Sequence, residues 1–575
     1  MQDNLVESEE DYLEDLARRQ RAVWPAGLPT ELEYPFGERP LTEYLQEWAR
    51  TDPDRVLLVF YGTELTFGQV DDLSDRFAGF LLERGVSPGD RVAVMLPNCP
   101  QFVIAFYGIL KAGAVHVPVN PLFKGEEIVY ELQDTEAALL LVWDELLPLI
   151  ETLRDRTSLQ HVVTTGLDEY LPESPTLPVP PMITHGREEH GTGLSWQDVL
   201  DARPPQVRPH QDLDALAALN YTGGTTGLPK GCEHTQRHMI YTAACAARMR
   251  GTGPENGPSV SLVFIPVFWI AGEDVAVILP VFTGTTCVLL ARWDPQAVLA
   301  AVPRYGVSGL GATVDNYVEL MEQPDIGEHD LSSVIAPGAM SFVKKLTVAH
   351  RRRWQQVAGE HSVLRESAYG MTETHTIDTF VTGFQDGDRD LHSEPVFCGL
   401  PMPGTELKVV DFDTGALVPL GAEGEICVRS PSLLSGYWRR PDATAAALRD
   451  GWLHTGDIGR LDEDGCLHFL GRRKEMLKVN GMSVFPSELE VILGRHPDIV
   501  GSAVIGMPDE ERGERAVAFV RLAPPAAGRV TEADLTAWCR ENMATYKVPA
   551  VRVVEEFPLT ATGKVKKDEL RRCAS

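Results

Sequence analysis

Residues 221–231 read YTGGTTGLPKG, a run of glycines and threonines that ends on a single lysine, the composition of a polyphosphate-binding turn. Gly223, Gly224 and Gly227 let the backbone take positive φ and bring N–H donors close to phosphate oxygens. Thr222, Thr225 and Thr226 add hydroxyl donors, and Lys230 adds a mobile charge. The run before it, residues 213–220, reads as a short buried strand, so the loop leaves a strand end, where α/β proteins place ligands. An ATPase loop of the Walker type needs Gly-Lys followed at once by Ser or Thr. Here Leu228 and Pro229 separate Gly227 from Lys230, and Gly231 follows. A surface turn rich in Gly and Thr has the same composition, so these residues alone support a phosphate cradle and no defined chemistry.

At 575 residues the chain exceeds one ordinary core, which predicts roughly three or four folding units. Hydrophobic content of 43% with 23% charged residues is that of a globular protein. No apolar run reaches the roughly 18 residues that span a bilayer. The start, MQDNLVESEEDYLEDLARRQ, is acidic and amphipathic where an export signal is basic and then apolar. Nine cysteines without a Cys-x-x-Cys pair point to reduced thiols and a cytoplasmic setting. A net charge of −31 disfavours nucleic-acid binding. It also requires any nucleotide site to carry its own local positive charge or a metal.

Between about residues 41 and 142, helical patterns alternate with short aliphatic runs such as 91–95 and 114–118, which predicts a parallel sheet covered by helices. Residues 171–210 shift to Pro, Gly, Glu and His and read as an exposed insertion. His185 and His190 within it have only Glu188 and Glu189 beside them and read as loop histidines. A second α/β stretch covers 263–339. Residues 403–469 are dense in short strands (407–411, 424–428) and predict a small β subdomain. The last unit, 484–575, mixes helices (486–493, 531–542) with strands (502–505, 516–521) and reads as α+β.

The phosphate loop is followed, in order, by YGMTET (369–374), TGD (455–457), GRRKE (471–475) and PLTATGK (558–564). By these motifs the chain resembles the adenylate-forming superfamily of acyl-CoA synthetases, peptide-synthetase adenylation domains and luciferases, from about Leu41 to the C-terminus. The resemblance implies an α/β N-terminal adenylation domain over 1–473, built of several subdomains, and a smaller, mobile α+β C-terminal domain over 474–575. It implies ATP, Mg2+ and CoA as cofactors and a small-molecule carboxylic acid as substrate; the net charge adds the expectation of no nucleic-acid partner. Attack of a carboxylate on the α-phosphorus of ATP, with pyrophosphate leaving, gathers anions that need positive charge. In the family's pattern Thr222 to Lys230 cradle the leaving phosphates, Thr372 and Gly370 lie at the nucleotide, and Glu373 is the magnesium ligand, a hard oxygen donor. Tyr369 matches the aromatic face on adenine, and a core tyrosine is the other reading. Asp457 matches the acceptor for the ribose hydroxyls and Arg472 the ribose-contacting arginine. Lys474 matches the hinge and Lys564 the catalytic lysine that bridges carboxylate and phosphate. Gly481 matches the glycine that leaves room for pantetheine; an ordinary turn glycine reads the same.

Two segments depart from the family's pattern. Where a histidine often follows Pro-x-Phe, this chain has Trp269, either a gate to the acid pocket or a large core residue. The acyl-pocket segment, usually Gly-Gly-Ala-Pro, reads APGAMS here, with Gly338, Ala339 and Met340 as candidate substrate contacts. The leading expectation is an AMP-forming ligase that joins a hydrophobic acid to CoA. Alternatives with the same chemistry use a carrier protein or an amine as acceptor, or another anion such as nitrite. A silent nucleotide-binding protein would have no need for Glu373, Asp457 and Lys564 together.

Overall fold

The computed structural model describes residues 8–184, 193–205, 212–222, 228–250, 259–393, 396–479, 482–509, 512–560 and 563–574. Two seven-stranded sheets form the bulk of the N-terminal part. The first runs Leu194–Ser195, His161–Thr165, Leu139–Trp143, Arg91–Met95, Val115–Pro118, Leu216–Tyr221, Gly231–Thr235, parallel except for its last pair. The second runs Arg365–Glu366, Ala336–Met340, Gly309–Thr313, Val260–Val263, Thr286–Leu289, Val56–Phe60, Thr63–Thr66, parallel up to its terminal hairpin. Strands such as LLLVW at 139–143 are apolar along almost their whole length because helices cover both faces of a parallel sheet. The helix Pro100–Lys111 is buried at every position. Within it the Gln101 amide N–H donates to Thr165 Oγ1 and Gly166 O, and Lys111 Nζ pairs with Asp71 at 2.5 Å and Asp75 at 2.9 Å.

The third sheet is antiparallel, in the order Thr379–Phe380, Phe397–Pro401, Leu467–Arg472, Trp452–Leu461, Gly424–Arg429, Glu406–Val410. The chain leaves it at Arg472 and enters a fourth sheet at Leu477–Val479, beside Met482–Val484, Gly513–Leu522, Ile499–Asp509 and Ala550–Val553. Helices Pro486–Leu493 and Glu532–Asn542 pack on that sheet, the second started by a Thr531–Asp534 capping box. Val343, from the N-terminal part, shares a cluster with Ala503, Val517 and Phe557.

Part of the insertion read as exposed, and the acidic start, are built into the fold. Residues 193–205 do not simply lie exposed: Leu194–Ser195 pairs with the edge of the first sheet, and Trp196, 1% exposed, packs on Phe77. The Pro- and Gly-rich composition hid one large apolar anchor. The acidic start forms the helix Glu9–Ala22, capped by Ser8. Leu16 is buried against the third sheet, and Glu9 accepts from Lys408 Nζ (2.6 Å) and Trp452 Nε1 (3.0 Å). All nine cysteines are free thiols. Among the described residues no helix is long and apolar enough to cross a membrane.

Candidate functional site

The C-terminal edges of the parallel strands, the third sheet and the last unit enclose one cavity of about 1790 Å³. Thr222, Lys230, Tyr369, Gly370, Thr372, Glu373, Asp457, Arg472, Lys474 and Lys564 all line it. Residues distant in sequence thus converge on one space, at the strand ends where open α/β sheets bind ligands.

The phosphate loop leaves the strand Leu216–Tyr221. The Thr222 N–H donates to Lys230 O (2.9 Å) and the Lys230 N–H to Thr222 Oγ1 (3.3 Å), so the two ends of the loop are tied together. Gly223, Gly224, Thr225, Thr226 and Gly227 lie outside the described residues, as does Gly481. Lys230 Nζ stands 3.9 Å from the ring centroid of Tyr437, a cation–π contact. The Tyr437 hydroxyl donates to Glu373 Oε1 at 2.8 Å. Tyr437 therefore links the lysine and the carboxylate of two separate motifs.

The segment from Tyr369 to Asp378 is held by unusual backbone. Gly370 admits no side chain, since a Cβ there would meet Thr376 O at 1.6 Å. His375 and Thr376 take φ of 53° and 78°, a region a β-branched residue rarely occupies. Such strain persists where surrounding contacts over-determine it, and they do. His234 Nε2–H donates to Thr372 O (2.8 Å), the Ser432 hydroxyl to Thr374 O (2.7 Å), and the Thr374 hydroxyl to Asp378 (2.6 Å). Burial pushes the Asp378 carboxyl up to about 8, with the Glu373 charge adding to the rise against the Thr374 hydrogen bond.

Tyr369 is 9% exposed, and its hydroxyl donates to Asp457 Oδ2 at 2.7 Å. Its ring also lies 6.0 Å from that of Phe469. Arg472 Nε lies 3.4 Å from Asp457 Oδ1. Burial raises the Asp457 carboxyl above its usual range, opposed by the Arg472 charge and the Tyr369 hydrogen bond. The turn that carries Asp457 is fixed from beneath: Glu425 accepts from Gly456 N (3.0 Å) and pairs with His454 Nδ1 (2.9 Å). Lys474 sits in the short turn Arg473–Glu475 between the third and fourth sheets.

Lys564 belongs to the C-terminal unit, yet it faces the N-terminal motifs across the cleft. Its loop is closed by Thr560 N–H to Lys564 O (2.7 Å) and Lys564 N–H to Thr560 Oγ1 (3.1 Å). Its Nζ lies 5.9 Å from the Phe342 ring centroid. The cleft remains open to solvent at the side chain. Partial desolvation by the surrounding protein lowers the ammonium's pKa, the nearby Arg472 charge lowers it further, and Asp457 and Glu475 oppose the shift.

The same cavity has an apolar stretch, lined by Ala243, Ala246, Val263, Ile265, Leu279 and Leu310. In the strand Ala336–Met340, Ala336, Pro337, Gly338 and Met340 line the cavity, while Ala339 is fully buried in the core. Trp269 starts the helical segment that follows. Its neighbours Ile265, Ile270 and Ala271 line the cavity, while its own indole packs on Phe268. Sequence reasoning missed Tyr437, His234 and Asp274. Tyr437 had a signal in SGYW, an aromatic pair after a small-residue turn; the others only acquire neighbours in the fold.

The AMP-binding enzyme family profile matches residues 45–438, and the profile of the AMP-binding enzyme C-terminal domain matches 488–564. The long-chain-fatty-acid–CoA ligase of Bacillus subtilis (strain 168) is 32% identical over 560 residues, 95% of this chain and 96% of that protein. The 4-coumarate–CoA ligase 2 of Oryza sativa subsp. japonica is 32% identical over 543 residues, 92% of each chain. The crystal structure of the anthranilate CoA ligase AuaEII with anthranoyl-AMP superposes with a TM-score of 0.80 at 29% identity, covering 93% of this chain and 97% of that one. With a matching fold and the ordered motifs gathered around one cavity, the chain belongs to the AMP-binding, adenylate-forming enzyme family, among relatives that resemble acyl-CoA synthetases.

Proposed function

We propose that this protein is an AMP-forming ligase that adenylates a hydrophobic carboxylic acid and transfers the acyl group to CoA in the cytoplasm. The observation that carries the reading is Lys564 in the same cavity as Lys230, Glu373 and Asp457, next to an apolar chamber. In this reading the acid enters the chamber past Ile265 and Met340, and its carboxylate meets the α-phosphorus of ATP at the mouth. Lys230 and the loop 222–230 hold the departing phosphates. Thr372 donates to the α-phosphate, Asp457 accepts from the ribose hydroxyls, and Arg472 steadies both Asp457 and the sugar. Tyr369, already bonded to Asp457, offers its ring to the adenine. Lys564 balances charge between the attacking carboxylate and the phosphate, where preorganised charge contributes roughly 2.7–4 kcal/mol to such steps.

Glu373 fits a magnesium ion: a hard carboxylate at the cavity wall, oriented by Tyr437, beside the lysine that faces the phosphates. The ion would neutralise phosphate charge there. For transfer, residues 474–575 rotate about Lys474, which withdraws Lys564 and brings Gly481 to the pantetheine path. The relatives' CoA ligase names support CoA as acceptor. Pyrophosphate release over a panel of acids, with and without CoA, and mass spectrometry of the thioester test this directly. Acid-dependent AMP without any thioester would refute the choice of acceptor, and no acid-dependent AMP would refute the ligase reading.

A further inference from the structure

One apolar wall of the cavity, contributed by residues 265–279, carries the acidic side chain of Asp274. Ile265, Ile270, Ala271, Val275 and Leu279 line the cavity from this one segment, and Asp274 lines it among them. That segment is helical over Ile270–Glu273, widens into a π-helical turn at Asp274–Ile278, and resumes at Leu279–Thr283. Such a turn inserts extra backbone into a helix and re-aims the residues at its start, and it recurs at functional sites. Two consecutive acids diverge here. Glu273 is wholly enclosed and pairs with the equally enclosed His116 at 3.1 Å. Asp274 sits at the wall, 6% exposed.

Burying a carboxylate in an apolar wall is costly unless its oxygens are met. His375 Nδ1 lies 3.1 Å from Asp274 Oδ1, and the Thr376 hydroxyl donates to Oδ2 at 2.6 Å. Both partners stand on the left-handed backbone described above, so the fold keeps strained geometry to hold this carboxylate in place. A carboxylate accepts about four hydrogen bonds, and Asp274, which lines the cavity with its Oδ1 enclosed beside His375, has acceptor capacity beyond these two contacts. An unsubstituted alkyl chain leaves that capacity unmet, whereas a donor on the bound molecule meets it.

We infer that Asp274 is a specificity determinant, and that the acid held in this chamber carries an amino or hydroxyl group donating to it. This rests on the proposed use of the chamber as the acid site. A pocket built to hydrogen-bond a substrate O–H or N–H discriminates strongly against the analogue that lacks it. A carboxylate that only braced the His375–Thr376 loop would affect all acids alike, so the ratio between acids separates the two roles.

The experiment measures ATP-dependent AMP formation and, independently of turnover, calorimetric binding. Its probes are benzoate against its amino and hydroxy derivatives, and dodecanoate against hydroxydodecanoates. The wild-type protein is expected to favour at least one donor-bearing acid over its parent by about tenfold or more. Asp274→Asn and Asp274→Ala are expected to shrink that ratio to within about threefold, whatever they do to the absolute rate. A wild type that binds and adenylates the parent acids as well as every derivative overturns the inference while leaving the ligase reading intact. An unchanged ratio in folded Asp274→Asn overturns it too. Where no acid yields AMP, the ligase reading fails, and the binding ratio alone still decides the inference.

Discussion

Two side chains carry the sharpest expectations. Lys564→Ala removes the charge from the cleft while leaving the N-terminal motifs in place. Adenylation is expected to fall by about two to three orders of magnitude, with thioester formation from preformed acyl adenylate largely retained. Separate assays of the two half-reactions check this, and equal losses in both contradict the assigned role. Tyr437→Phe keeps the ring under Lys230 and deletes only the hydroxyl that meets Glu373. Its expected effect is a rise of about tenfold in the magnesium needed for half-maximal pyrophosphate release, with ATP binding changed far less. The motif residues could be read in the chain because glycine, threonine and lysine at fixed spacing carry their chemistry locally. Tyr437 and Asp274 could not be, because each matters only through a neighbour from another element. Trp269 shows the converse: the sequence flags a bulky residue, but only the fold reveals that its neighbours, not its indole, face the chamber.

Among the elements, the strand–loop units were the most legible. The strand Arg91–Met95 and the helix Pro486–Leu493 lie where their patterns place them, since aliphatic runs and a Pro-led amphipathic turn are local signals. The two-residue strands Leu194–Ser195 and Arg365–Glu366 were invisible, being defined by sheet-edge pairing rather than periodicity. The strained segment between Tyr369 and Asp378 has its own pH signature. Asp378 is fully buried, and its carboxyl is raised from 3.8 to about 8. A group whose folded pKa is raised binds more protons in the native state, so stability falls as pH climbs between the two values. The contribution is complete below 3.8 and lost as pH passes about 8. Asp378→Asn removes this dependence. Thermal melts at intervals through that window are therefore expected to show wild type losing ground to Asp378→Asn as pH rises; parallel melting profiles would contradict the buried, protonated carboxyl.

At the level of the whole molecule, the arrangement of units is the one in which Lys564 meets the nucleotide motifs. Among the described residues its contacts include packing, a hydrogen bond from the Ser487 hydroxyl to Leu470 O, and a cross-unit ion pair. Val343 packs on Ala503 and Phe557, and Arg521 Nη2 in the fourth sheet lies 3.5 Å from Asp315 Oδ1 in the N-terminal part. Asp315 is also fixed by the Lys344 N–H at 3.2 Å, so the carboxylate is held in place before the arginine arrives. With side chains 37% and 33% exposed, the pair adds at most about 1 kcal/mol to folding. A similar energy applied to an equilibrium between two domain orientations changes their ratio by about fivefold. Under the proposed rotation about Lys474, this pair exists in the adenylating arrangement and is lost on transfer. Arg521→Glu is thus expected to slow adenylation by about threefold to tenfold, to spare thioester formation from preformed adenylate, and to leave the melting temperature nearly unchanged. Pairing it with Asp315→Arg restores the attraction with the charges exchanged and is expected to recover most of the adenylation rate. If the double variant is as slow as the single one, the ion pair has no part in setting the balance between the two arrangements.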